Sequence, residues 1–257
     1  MSFLLLMKLI GAALFLVMAT LAARRWGETV GGLIIALPCV SGPISVFLAI
    51  ENGAVFAVHS GFGSLAGTAS LTFFGFVYAV VCPKGRALAV LLGLSAFAVG
   101  SAAINALNLS LWPLFLLTAV CIVFFARILP ISKSDGPRAK PLKHDLLLRA
   151  ALMIALTLLV TISAPFVGPA VSGVLSSLPL MALTMALFAQ SGGKNASEAQ
   201  KVMKGLVSGL MSTAVFYLVL PYVLQDGALV FGYTTAVVAS LLMQCVVLFF
   251  FKRRHLL

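Results

Sequence analysis

Gly27-Glu28-Thr29-Val30-Gly31-Gly32-Leu33-Ile34-Ile35-Ala36-Leu37-Pro38 is matched, 141 residues further on, by Gly168-Pro169-Ala170-Val171-Ser172-Gly173-Val174-Leu175-Ser176-Ser177-Leu178-Pro179. Gly27, Val30, Gly32, Leu37 and Pro38 each fall over an identical residue. The apolar runs ahead of the two stretches align without a gap, setting Lys8 over Arg149 and Thr20 over Thr161. One inserted residue later, Gly63-x-x-x-Gly67 falls over Gly205-x-x-x-Gly209. The shared pattern occupies the same place relative to the surrounding apolar runs, which points to an internal duplication.

Those runs are about 20 residues long and do not alternate, so they read as membrane-crossing helices rather than barrel strands. Composition agrees: 62% of residues are hydrophobic and 9% charged, where a soluble domain carries about a quarter charged residues. In lipid every backbone N–H and C=O must be paired internally, and helices do that within one segment. The expected fold is an all-α integral membrane protein of about nine spans, over residues 3–23, 28–50, 54–82, 87–107, 110–130, 146–166, 168–190, 202–224 and 228–251. The first run lacks a basic stretch ahead of it and has a later counterpart, so it reads as a span and not a cleaved leader.

Charge sets the expected orientation. Arg24 and Arg25, Lys84 and Arg86, the stretch from Arg127 to Lys143, Lys194, Lys201 and Lys204, and Lys252 to Arg254 fall in alternate connections. The intervening connections hold Glu51-Asn52-Gly53, Asn108, the Pro165–Gly168 turn and Gln225-Asp226-Gly227, with no Lys or Arg. The positive-inside rule then places the N-terminus outside and the C-terminus in the cytoplasm. The net charge of +11 is read as loop charge that sets topology, not as a nucleic-acid surface.

The organisation follows. Residues 1–107 form a first repeat of four spans. Residues 108–145 hold a linking fifth span and a basic cytoplasmic loop. Residues 146–257 form a second repeat with a short basic tail. The copies start on opposite faces, so they are inverted. Inverted four-helix repeats joined by an odd helix are an architecture of secondary transporters and lipid flippases.

The second span carries the most chemistry: Ala36-Leu37-Pro38-Cys39-Val40-Ser41-Gly42-Pro43-Ile44-Ser45. Proline removes a donor and clashes with the preceding turn, freeing carbonyls at mid-membrane. Its repeat mate is Ser176-Ser177-Leu178-Pro179, with Thr184 one turn on. Pro38, Ser41, Gly42, Pro43, Ser176, Ser177, Pro179 and Thr184 are therefore candidate lining of a central substrate site. The competing reading is a pair of proline kinks whose hydroxyls bond back to their own helices.

Glu51 and His59 lie eight residues apart near the outer side, and a carboxylate beside an imidazole could carry coupling protons. Alternatively they mark an interfacial turn and a packed histidine. Lys8 and Arg149 are repeat mates near opposite faces and could receive an anionic group from either side, or simply snorkel to the headgroups. Cys39, Cys82, Cys121 and Cys245 are scattered without a CxxC and read as buried apolar residues. There is no P-loop, no His-Glu-x-x-His and no Gly-x-Ser-x-Gly, so neither a metal, a cofactor nor an enzymatic activity is expected.

Arg25-Trp26-Gly27, Gly31-Gly32-Leu33 and Leu37-Pro38 resemble the core of small GlpM-like bacterial inner-membrane proteins, about one repeat long. The resemblance implies two such modules fused in inverted orientation, in a bacterial inner membrane, with no established activity. Pro165 and Phe166 stand where the second copy would carry the Arg24–Arg25 pair.

The expected function is secondary transport or lipid flipping, for an anionic substrate coupled to a proton or ion. The competing class is a non-transporting scaffold or assembly subunit of an envelope enzyme complex. The expected partners are the lipid bilayer and a small-molecule or lipid substrate, with homo-oligomers open and nucleic acid excluded. Polar groups from both broken helices meeting in one cavity would favour transport, whereas a dry, packed centre would favour the scaffold.

Overall fold

The computed structural model describes residues 20–38, 41–131, 168–190, 196–224 and 229–253, with isolated positions between 14 and 18 and at 147 and 151. Its regular elements are α1 (Glu28–Ile35), α2 (Ser41–Asn52), α3 (Ala54–Val81), a 3-10 turn (Cys82–Lys84), α4 (Arg86–Ala106), α5 (Leu111–Ile128), α6 (Gly168–Ser176), α7 (Leu180–Ala189), α8 (Ala196–Val223) and α9 (Leu229–Arg253). Every described element is helical, and six helices are long and apolar enough to cross a membrane. The chain is an all-helical protein of the multi-pass membrane class. Most of the runs expected over 3–23 and 146–166, with Lys8 and Arg149 in them, lie outside the described residues.

Two of the expected spans are each split at a proline. The first splits into α1 and α2 around Pro38, and the second into α6 and α7 around Pro179. Pro38 cannot donate to the turn behind it and disfavours helix at Leu37. The last turn tightens, with Leu37 N donating to Ile34 O at 3.1 Å and Leu178 N to Leu175 O at 3.2 Å.

α3 and α8, each 28 residues, pack against one another at the centre. A helix of that length spans about 42 Å, close to the full thickness of a bilayer with its headgroups. The half-helix ahead of each break packs on the long helix of the other half: α1 lies on α8 and α6 on α3, whereas α2 and α7 lie on the long helix that follows them. α5 leans on both long helices, while α4 flanks α3 and α9 flanks α8.

Glycine makes these contacts possible. A methyl group at Gly32 would run into Val202 O, Leu206 N and Gly205 Cα. At Gly173 it would run into Ser60 O, Ser64 N and Gly63 Cα. The second set of contacts is the first moved by 142 residues. In the same way Gly205 faces Thr29 and Gly63 faces Ala170, while Gly209 faces Ala36 and Gly67 faces Ser177. Backbone-to-backbone approach of this kind is what small residues supply in membrane helix packing, where lipid offers no hydrophobic drive between helices.

The contacts also fix depth. Gly67 is the fourteenth residue of α3 and Gly209 the fourteenth of α8. Both helix breaks therefore sit at the midpoints of the long helices.

Outer and inner helices differ in burial. Within their most apolar stretches, 72% of α3 is buried but only 17% of α5. Val99, Leu91, Val120 and Leu242 are exposed on the outer helices. A continuous apolar surface of this kind is stable against lipid and not against water. Basic residues gather at one end of the bundle. Arg86 donates to Gln190 O, Lys204 donates to Ala126 O beside Arg127, and Lys201 pairs with Glu198 at 2.9 Å. Arg24 and Arg25 precede α1, whose Thr29 meets Gly205 near that same end.

Gly173→Ala or Gly205→Ala should destabilise the fold by at least about 1–3 kcal/mol, because the new methyl meets backbone that cannot rotate away. Gly42→Ala should be tolerated, since its nearest neighbour there is Phe216 Cζ at 3.7 Å. Thermal melting in detergent, read by size-exclusion chromatography, checks both; equal melting of all three variants would contradict the packing.

Candidate functional site: the midplane cavity

The broken ends meet around a cavity of about 80 Å3 at the centre of the bundle. It is room for several water molecules or a small solute. Ala36, Leu37 and Ser41 line it from the first break, and Ser176, Ser177 and Pro179 from the second. Thr68 of α3 and Thr213 of α8 close the sides with leucines from both long helices. Among the described residues no charged side chain lines it.

The hydroxyl protons here are committed. Thr68 Oγ1 donates to Ser64 O at 2.8 Å, Ser177 Oγ to Ser64 O at 3.1 Å, and Ser176 Oγ to Gly173 O at 2.7 Å. Thr213 Oγ1 donates to Ala36 O, the last carbonyl freed by Pro38. Gln244 Nε2 of α9 donates to Leu33 O at 3.0 Å. The bonds to Gly173 O, Ala36 O and Leu33 O satisfy carbonyls left free at the breaks, those to Ser64 O add to an unbroken turn of α3, and the hydroxyls keep lone pairs for any occupant.

Donors come from the start of α7. Its N-cap is Pro179, without a side-chain cap. Leu180 N reaches Leu178 O and Leu183 N reaches Pro179 O, while the amides of Met181 and Ala182, two cavity residues, have no backbone acceptor among the described residues. Free amides at a helix N-terminus favour an acceptor or an anion.

A second polar cluster adjoins the first. Ser64 Oγ lies 3.0 Å from Ser176 Oγ and 3.1 Å from Ser60 O. The Tyr217 ring lies on Gly61, and its hydroxyl faces those of Ser41, Ser64 and Ser176. That hydroxyl is buried without a hydrogen bond of proper geometry.

Of the residues expected to line a central site, Ser41, Ser176, Ser177 and Pro179 do so. Pro38 and Gly42 are buried beside it, whereas Pro43 is exposed. Thr184 is buried but donates to Leu180 O at 2.7 Å on its own helix, away from the cavity. His59 is exposed on α3 and does not reach the cavity. The Glu51 side chain, with Lys8 and Arg149, lies outside what the structure describes. Ser64, Thr68, Thr213 and Tyr217 were not anticipated. Ser64, Thr68 and Thr213 share one signal, a polar residue near mid-span on a long helix, and Tyr217, the twenty-second residue of α8, lacks even that.

The basic end is held by a polar latch between the two halves. Gln190 Nε2 donates to Cys82 O at 2.8 Å, Tyr78 OH donates to Gln190 Oε1 at 3.4 Å, and Gln200 Nε2 donates to Ala79 O at 2.9 Å. These glutamines cap the C-terminal carbonyls of α3, and Arg86 caps Gln190 O at the end of α7.

The chain is thus a multi-helix membrane protein with a small, mostly apolar cavity between two interrupted helices, into which five serine and threonine residues are set. No protein-family model, curated protein or solved structure matches it.

Gln190→Leu should lower stability by about 1–3 kcal/mol, because Cys82 O and the buried Tyr78 hydroxyl lose their partner. Ser95→Ala, which removes an exposed hydroxyl bonded only to Leu91 O, should leave the melt unchanged. A silent Gln190→Leu would show that the latch carries no stability.

Proposed function

We propose that this chain is a secondary transporter built from two inverted four-helix repeats joined by α5, within a nine-span protein. The observation that carries the reading is the shared midplane cavity, with Ser41 from one broken helix facing Ser176 and Ser177 from the other. The paired glycine contacts support the inverted duplication, since Gly32 on α8 and Gly173 on α3 use equivalent residues. Two half-helices that reach the midplane from opposite ends give each face its own route to one site. Rocking one half against the other then alternates access.

The lining, aliphatic with hydroxyls from Ser41, Thr68, Ser176, Ser177 and Thr213, suits a small solute that joins an apolar body to a polar group. An acceptor or anionic group would sit at the free amides of Met181 and Ala182, and donor groups would meet the hydroxyl lone pairs. The cavity is too small for a lipid headgroup with its chains, so solute transport is favoured over flipping. The basic end is the cytoplasmic end by the positive-inside rule, in a bacterial inner membrane. The latch at Gln190 and Gln200 then closes the cytoplasmic route in this conformation.

Single cysteines at Ser41 and Ser177, in a variant lacking the four native cysteines, test this in right-side-out and inverted vesicles. Both should react with an impermeant thiol reagent from each side of the membrane. Gln190→Ala should increase labelling from the cytoplasmic side by about threefold or more. If both sites stay inert from either face, the breaks are packed kinks and the scaffold class replaces transport.

A further inference from the structure

We infer that the hydroxyl cluster of Ser41, Ser64, Ser176 and Tyr217 is a sodium-binding site adjoining the cavity. The inference deepens the transport reading by naming the coupling ion, and its role as a coupling site rests on that reading.

Three observations carry it. First, the Tyr217 hydroxyl is fully buried, faces three serine hydroxyls and bonds to none of them with proper geometry. A buried polar group left unpaired is costly, and an occupant that binds it removes that cost.

Second, the cluster exists once in a frame that otherwise repeats. The positions equivalent to Ser41, Ser64, Ser176 and Tyr217 are Ala182, Leu206, Ile35 and Gly75. The same glycine contacts form in both halves, so the packing does not require these four hydroxyls. They are an addition to one side of the frame.

Third, the oxygens are neutral and convergent. Ser64 Oγ lies 3.0 Å from Ser176 Oγ, and Ser60 O and Gly173 O are within 3.2 Å of Ser64 Oγ. Gly173 O belongs to the last turn of α6, the negative end of that helix. Hydroxyl and carbonyl oxygens are ligands for hard cations, and divalent ions in such sites need carboxylates. Among the described residues no carboxylate faces the cluster, and no group of His, Cys, Asp and Glu could hold a metal ion. That leaves a monovalent cation, and the close oxygen spacing suits sodium over potassium.

Ser41 and Ser176 belong to both the cluster and the cavity lining. Sodium would fix their hydroxyls and the two broken ends that carry them, so ion and solute would stabilise one another's sites. The reciprocity is required by linkage.

The test uses the whole chain in nanodiscs, with melting followed by tryptophan fluorescence in sodium, potassium or choline chloride at equal ionic strength. Sodium should give a saturable rise in melting temperature of about 2–5 °C over choline. Tyr217→Phe and Ser64→Ala should each raise the half-saturating sodium concentration by about tenfold or more, and Ser95→Ala should not. If these variants fail to fold, equilibrium binding of radioactive sodium to the unaltered chain should give one ion per chain, displaced by excess sodium and not by potassium. Identical melting in all three salts, an equal rise in potassium, an unaltered sodium response in Tyr217→Phe, or no bound sodium would each overturn the site. The thiol-labelling outcome separates the two ideas. Sodium binding with inert Ser41 and Ser177 cysteines would keep the ion site and sink transport. Labelling from both faces without a sodium response would keep transport and sink the site.

Discussion

A backbone interrupted in the middle of a membrane has no water to turn to, and this constraint organises the whole molecule. Pro38 and Pro179 each end a helix at mid-depth and release carbonyls that lipid cannot satisfy. Every neighbouring feature answers that demand. Thr213 takes Ala36 O, Gln244 takes Leu33 O, and Ser176 and Ser64 take Gly173 O. The side chains that repair the breaks are also the ones that make the centre polar. Structural repair and the hydroxyl part of the cavity lining therefore arise from the same residues.

Close packing brings the repair groups within reach. Gly32 and Gly173 let α1 and α6 each lie against the backbone of the opposite long helix. Without that approach, Ser64 could not meet Ser176 across the interface. The symmetry is followed in the glycines and abandoned in the polar groups. Thr213 serves one break where Ser176 serves the other, and the Tyr217 cluster has an apolar counterpart. Asymmetry placed on a repeating frame lets the two sides of one cavity differ chemically: amides of Met181 and Ala182 on one side, hydroxyl lone pairs on another.

Much of this was legible in the sequence. Helix class followed from unbroken apolar runs, and the breaks followed from Leu37-Pro38 and Leu178-Pro179. The described long helices lie within a few residues of the expected spans, except that α8 starts at Ala196 rather than 202. That start is polar, with Glu198 and Lys201 pairing, so hydropathy passed over a turn that capping and an ion pair support. Ser41, Ser176 and Ser177 were found because they sit beside the prolines. Pro43 and Thr184 sit equally close in sequence but turn away, because one residue of helix rotates a side chain by about 100°. Ser64 and Tyr217 were missed because partners across a tertiary interface leave no local trace. Gln190 and Gln200 escaped because a glutamine at a helix end looks like ordinary interfacial polarity until the carbonyls it caps are seen.

The account depends most on opposed insertion of the two halves. Single cysteines at Trp26 and Val167, equivalent positions ahead of the two half-helices, test it directly by labelling with an impermeant maleimide in oriented vesicles. Labelling of Trp26→Cys from the cytoplasmic face and Val167→Cys from the opposite face is the predicted result. Labelling of both from the same face would mean parallel copies, and the two half-helices could not then reach a common cavity from opposite sides.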